Sequence, residues 1–108
     1  ITPSAESISA AASTELPADT RTMITNSPAA DAYPISCFTW IILYKEQAYN
    51  NHTLQQAEAN IKLLHWMLSD AAQQLTTKVH YSPLPQTAKE NAKLLLQSVT
   101  FNGAPLLK

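Results

Sequence analysis

The run Phe38 to Tyr44, F-T-W-I-I-L-Y, constrains the fold of this chain more than any other stretch. Each of its residues is apolar, aromatic or threonine, Ile41 and Ile42 are β-branched, and neither glycine nor proline interrupts it. It is shorter than the roughly 20 apolar residues a membrane helix needs. It is also too continuous for a strand with one wet face, so the expected element is a central strand covered on both sides. Burial of Ile41, Ile42 and Leu43 is expected to contribute roughly 1.5–3 kcal/mol each. Pro34 stands near the entry, where a missing N–H does least harm, and Lys45 marks the exit.

The segments around this strand read mostly as helix. Thr53 and Gln56 have the spacing of a capping box, and Leu54, Ala57, Ile61, Leu64 and Leu68 follow on one helical face. Glu58 and Lys62 add a pair in the favourable order, worth roughly 0.2–0.5 kcal/mol. Leu63, Trp66 and Met67 lie off the main face, so a second body is expected to cover them: another part of the fold or a second copy of the chain. Ser69 suits the cap of a shorter helix from Asp70 to about Thr77. The prolines of S-P-L-P (Ser82 to Pro85) then forbid helix, and a last helix is expected from about Pro85 to Val99. Its buried face is Ala88, Ala92, Leu95, Leu96 and Val99, with Lys89 and Lys93 outside. Asn102 and Gly103 both tolerate positive φ and predict a turn.

Upstream, Thr2 and Pro3 suit a helix start, Ile8, Ala11 and Ala12 recur at helical spacing, and Pro17 ends that element. Thr20 to Thr25 alternates mildly and suggests a short strand with Met23 or Ile24 inward. Asn26 to Asp31, N-S-P-A-A-D, is a turn-rich connector. The fold class is therefore α/β, and 108 residues suffice for one small domain with a core.

Several chemistries lack their residues. His52, His65 and His80 show no H-x-x-x-H spacing, Cys37 stands alone, and no metal site is expected. His65 lies near the Ile61 and Leu68 face and reads as a hydrogen-bonded boundary histidine. Cys37, beside the apolar run, reads as a buried and inert thiol. There is no G-x-S-x-G elbow, and Ser36 has no local base. Asp19, Asp31, Glu46, Glu58, Asp70 and Glu90 form no carboxylate pair and read as a solvated surface. No catalytic residue and no cofactor is therefore expected. A formal net charge of −1 with no basic stripe gives no reason to expect nucleic acid, and Tyr33, Phe38, Trp40 and Tyr44 read as core.

The order A-D-A-Y-P-I (Ala30 to Ile35), F-T-W-I-I-L-Y-K-E-Q (Phe38 to Gln47), H-W-M-L-S-D-A (His65 to Ala71), H-Y-S-P-L-P (His80 to Pro85) and S-V-T-F-N-G-A-P-L (Ser98 to Leu106) resembles the C-terminal part of PstS-like phosphate-binding proteins of ABC-type uptake systems. The resemblance covers nearly the whole chain but only about the last third of a family member. It implies a fragment, in keeping with a start at Ile1 rather than Met, and a partial lobe of a type II periplasmic binding protein. Residues 1–25 would then be a remnant of the second lobe, 26–35 a hinge-like connector, and 36–108 the C-terminal part of the first lobe. Asp31, Ala32, Tyr33 and Pro34 become hinge candidates. Leu63, Trp66 and Met67 are the self-association candidates, in a possible homodimer of the fragment. The resemblance further implies a periplasmic or outer-face location, inorganic phosphate as the parent's ligand and a membrane permease as partner. The family's phosphate-contacting motifs, an early first-lobe loop and a second-lobe helix start, are not present. No phosphate-binding residue is expected in this portion, and Arg21 and Asp31 are not assigned that role.

Overall fold

Local rules place the helices of the computed structural model, which describes residues 1–107. Helix α1 spans Ala5–Ala12, α2 Leu54–Met67, α3 Asp70–Leu75 and α4 Gln86–Gln97, with a 3-10 turn over Thr76–Val79. Thr53 caps α2 through the expected box: its hydroxyl accepts from Gln56 N at 3.2 Å, and Gln56 Oε1 accepts from Thr53 N at 2.9 Å. These bonds satisfy donors that the first helical turn leaves without partners. Ser69 caps α3 as expected, but α3 stops at Leu75 rather than Thr77 and tightens into the 3-10 turn. At the N-terminus the cap is Ser4, paired reciprocally with Ser7, and not Thr2. Ser7 Oγ can reach back to both Ser4 N and Thr2 O, which moves the helix start inward.

The strands are short. β1 (Thr100–Phe101) and β2 (Ala104–Pro105) form an antiparallel hairpin in the register Thr100 with Pro105 and Phe101 with Ala104. Asn102 and Gly103 turn the chain between them at φ of 50° and 78°, as the pair predicts. The described chain is thus a small mixed domain of four α-helices and a two-stranded sheet.

Its main core lies where α2 meets α4. Ile61, Leu96 and Val99 are buried together, with Leu64, Leu68, Leu106 and Leu107 packed against them. This is the apolar face read from the sequence, although Leu54 and Leu95 at its margins are exposed. Lys89 is a correction: its side chain is only 12% exposed and reaches Asp70 Oδ1 at 2.7 Å, so its stem lies along the helices. The core is smaller than the chain length suggests. Six of the ten buried apolar residues are alanine, and the largest fully buried side chains are Ile24 and Ile61. The Cα radius of gyration is 15.6 Å, against about 13 Å expected for a compact chain of this length.

The expected central strand is the principal correction. Phe38 to Tyr44 pairs with no strand, and Ile42 is 94% exposed where burial on both faces is expected. A strand exists only through its ladder, and no described segment offers a neighbouring edge along these residues. Thr20 to Thr25 likewise forms no strand, although Ile24 does point inward and Met23 outward. Cys37 is exposed rather than buried, because no described strand pairs alongside it.

Candidate interaction surface

Glu46 is the anchor from which the exposed surface extends. Its Oε1 accepts from Ala48 N at 2.9 Å and from Asn102 N at 2.7 Å. Its Oε2 accepts from Thr100 Oγ1 at 2.7 Å and Gly103 N at 3.1 Å. These donors favour the charged carboxylate, the Ala48 amide most, followed by the Thr100 hydroxyl, and lower its pKa to about 2. The backbone is held alongside: Thr100 N donates to Lys45 O and Gln47 N to Thr100 O, each at 2.8 Å. Glu46 thereby forms a parallel bridge with Thr100.

Upstream of this clasp the chain runs free. From Ile35 to Tyr44, among the described residues, no backbone group bonds to another backbone group. Only side chains reach this stretch: Gln47 Nε2 donates to Tyr44 O, and Thr25 Oγ1 donates to Ser36 O at 3.3 Å. Two open grooves flank it. One, of about 760 Å³, is lined by Thr20, Met23, Trp40, Leu43, Leu95 and Val99 among others. The other, of about 530 Å³, is lined by Ile42, Tyr44, Gln47, Tyr49, Asn60 and Leu63 among others. A ridge of apolar side chains with unpaired amides between two apolar grooves has the chemistry to take up further strands.

The hinge candidates sit at the other end of this segment. Asp31 is exposed at φ 62°, and Ala32 is buried. Tyr33 N donates to Ser7 O at 2.9 Å, and Pro34 O accepts from Asn26 N at 2.7 Å, so the connector is tied to α1 and closed on itself. Ser36 Oγ donates to Tyr33 O at 2.7 Å. Leu63, Trp66 and Met67 all lie exposed on α2, and only Leu63 lines a groove shared with the free segment.

The histidines do not converge. His52 Nδ1 lies 3.0 Å from Gln47 O, His65 is exposed rather than held at a boundary, and His80 sits at φ 62° after the 3-10 turn. Among the described residues no three His, Cys, Asp or Glu side chains are placed to hold a metal. Arg21 Nε donates to Asp19 Oδ2 at 2.9 Å, an exposed local pair that lowers the Asp19 pKa. The role of Glu46 is the feature that sequence reasoning missed. Of its four donors only Ala48 N is local; Thr100, Asn102 and Gly103 lie more than fifty residues along the chain, and the one sign there is the turn pair Asn102 and Gly103, whose amides need an acceptor. Comparison with protein-family models, with curated proteins and with solved structures found no match.

Proposed function

We propose that this chain is the C-terminal part of a PstS-like phosphate-binding protein, in which it serves as scaffold and hinge and has no catalytic role. In this reading residues 1–25 belong to the second lobe, 26–35 form the return connector, and 36–108 complete the first lobe. The parent protein would capture phosphate between its lobes outside the cell membrane and hand it to a permease. The carrying observation is the free segment Phe38 to Tyr44: apolar, unpaired along its backbone, and followed at Glu46 by a parallel bridge to Thr100 of β1. Such a segment suits the interior of a larger parallel sheet. The small core and elongated form fit a partial lobe as well. The phosphate assignment itself rests on the residue order from Ala30 to Leu106.

Two measurements test this. Calorimetric titration of phosphate into the chain, in low-salt buffer free of phosphate and sulfate, should give no binding heat, and saturable binding would overturn the absence of ligand groups here. Grafting this chain in place of the last third of a PstS-like protein should preserve phosphate binding. A folded chimera that does not bind phosphate would sink the reading.

A second reading, an independent module that dimerises without a ligand, is favoured by the exposure of Leu63, Trp66 and Met67 on α2. The mass of the chain in solution tests it: a monomer at all concentrations excludes it.

A further inference from the structure

The tip of the β1–β2 hairpin joins two observations that the proposed function does not use. Asn102 is the one asparagine followed by glycine, and Gly103 is the single glycine of the chain. Both amides of this pair are held by Glu46: Asn102 N donates to Oε1 at 2.7 Å and Gly103 N to Oε2 at 3.1 Å. We propose that Asn102 is a site of spontaneous deamidation that Glu46 keeps closed, and that conversion of Asn102 to aspartate or isoaspartate releases the hairpin from Glu46. The inference goes beyond the phosphate and dimer readings and depends on neither.

The reaction is an attack within the turn. The Gly103 nitrogen gives its proton to hydroxide or a buffer base and bonds to Asn102 Cγ, while the Cγ–Nδ2 bond breaks and Nδ2 leaves as ammonia. The product is a cyclic succinimide. Water opens it at either carbonyl, giving aspartate or, with the main chain rerouted through the side chain, isoaspartate. No electron donor or acceptor is involved. Glycine favours ring closure because no Cβ obstructs the approach of its nitrogen. Both residues are exposed, and nothing lies within 4 Å of where a Cβ on Gly103 would stand, so base and water reach the site.

Glu46 opposes the first step in two ways. Ring closure requires the peptide between Asn102 and Gly103 to rotate until its nitrogen meets Cγ, and that rotation breaks the bond from Gly103 N to Oε2. The carboxylate charge beside this N–H also disfavours the amide anion that attacks. Glu46 is itself fixed by Ala48 N at 2.9 Å and Thr100 Oγ1 at 2.7 Å, so it does not follow the peptide as it turns.

The conversion runs one way. It places a carboxylate on the residue whose own amide binds Glu46, and like charges repel. Isoaspartate in addition lengthens the backbone of the turn that sets the Phe101 and Ala104 pairing. Both changes part the turn amides from Glu46. Since the same carboxylate holds Thr100, the join between the hairpin and Lys45 to Gln47 loosens with it.

The test is mass spectrometry of the chain incubated at neutral pH, with the mass gain assigned to Asn102 in its peptides and isoaspartate separated by chromatography. Asn102 in the folded chain should convert at least about tenfold more slowly than in a synthetic peptide of residues 98–107, and Glu46→Ala should restore about that factor, as expected for losing a hydrogen bond to a charged group. If Glu46→Ala does not fold, Glu46→Gln, which keeps the shape but not the charge, should still exceed the parent rate. Ile61→Val loosens the core and leaves the clasp, so it should stay near the parent rate, whereas a route through global unfolding would speed it about fivefold. Asn102→Asp should quicken hydrogen exchange at Thr100 and Gly103. Matching rates in chain and peptide, a Glu46→Gln rate at or below the parent's, equal acceleration by Ile61→Val and Glu46→Gln, or unchanged exchange in Asn102→Asp would each overturn the proposal.

Discussion

Truncating two isoleucines to alanine separates the core expected from local apolarity from the one the tertiary structure builds. Ile61 is 1% exposed and packs in the cluster with Leu96 and Val99, whereas Ile42 is 94% exposed. Ile61→Ala removes three carbon groups at about 0.8 kcal/mol each. With the space left behind, the cost should reach about 3–4 kcal/mol. Ile42→Ala should change stability by no more than about 0.5 kcal/mol in the single chain. Urea unfolding followed by circular dichroism measures both, at protein concentrations low enough to keep the chain unpaired. With a slope near 1.5 kcal/mol/M, the two midpoints should differ by roughly 2 M. If Ile61→Ala leaves too little folded protein, Ile61→Val should still cost about 1 kcal/mol. Equal midpoint shifts, or a larger one for Ile42→Ala, would refute the assignment of the core to the α2 and α4 contact.

Two further substitutions probe the anchor and a strained turn. Because the Glu46 pKa is lowered to about 2 from 4.5, its contribution is present above pH about 4.5 and lost as pH falls through about 2. Glu46→Gln should therefore lower stability near neutral pH and flatten the acid limb of a pH series of thermal melts, with faster hydrogen exchange at Asn102 and Gly103. An unchanged acid limb would show that the carboxylate is not held as described. Thr20, β-branched and at φ 60°, occupies left-handed backbone that disfavours it. Thr20→Gly should raise stability by about 0.5–1 kcal/mol in the same urea assay, and a loss would mean that its side chain contributes more than the strain costs.

Features carried by near neighbours were legible in the sequence. The Thr53 and Gln56 box, the Ala57 and Ile61 face of α2, the Ser69 cap, the start of α4 after Pro85 and the Asn102–Gly103 turn all depend on residues a few positions apart. The side-chain pairing Lys89 with Asp70 was not legible, because it joins two helices. Nor was the role of Glu46: it read as one of several solvated acids, since three of its four donors reach it only after the chain has returned past α4. The hinge candidates Asp31 to Pro34 were visible as turn chemistry, but their ties to Ser7 and Asn26 were not.

By itself, then, the sequence determined the caps of α2 and α3, the face of α2 and the Asn102–Gly103 turn, because capping, φ preference and side-chain periodicity are short-range. Only the tertiary structure decided which apolar residues became core. Phe38 to Tyr44 has the composition of a buried strand, yet burial and ladder bonds belong to a pair of elements and not to one. Here β1 meets the chain only beyond the run, where Thr100 bridges Glu46, so the run stays unpaired and open, while the milder amphipathic faces of α2 and α4, held against each other, enclose Ile61 and Leu96.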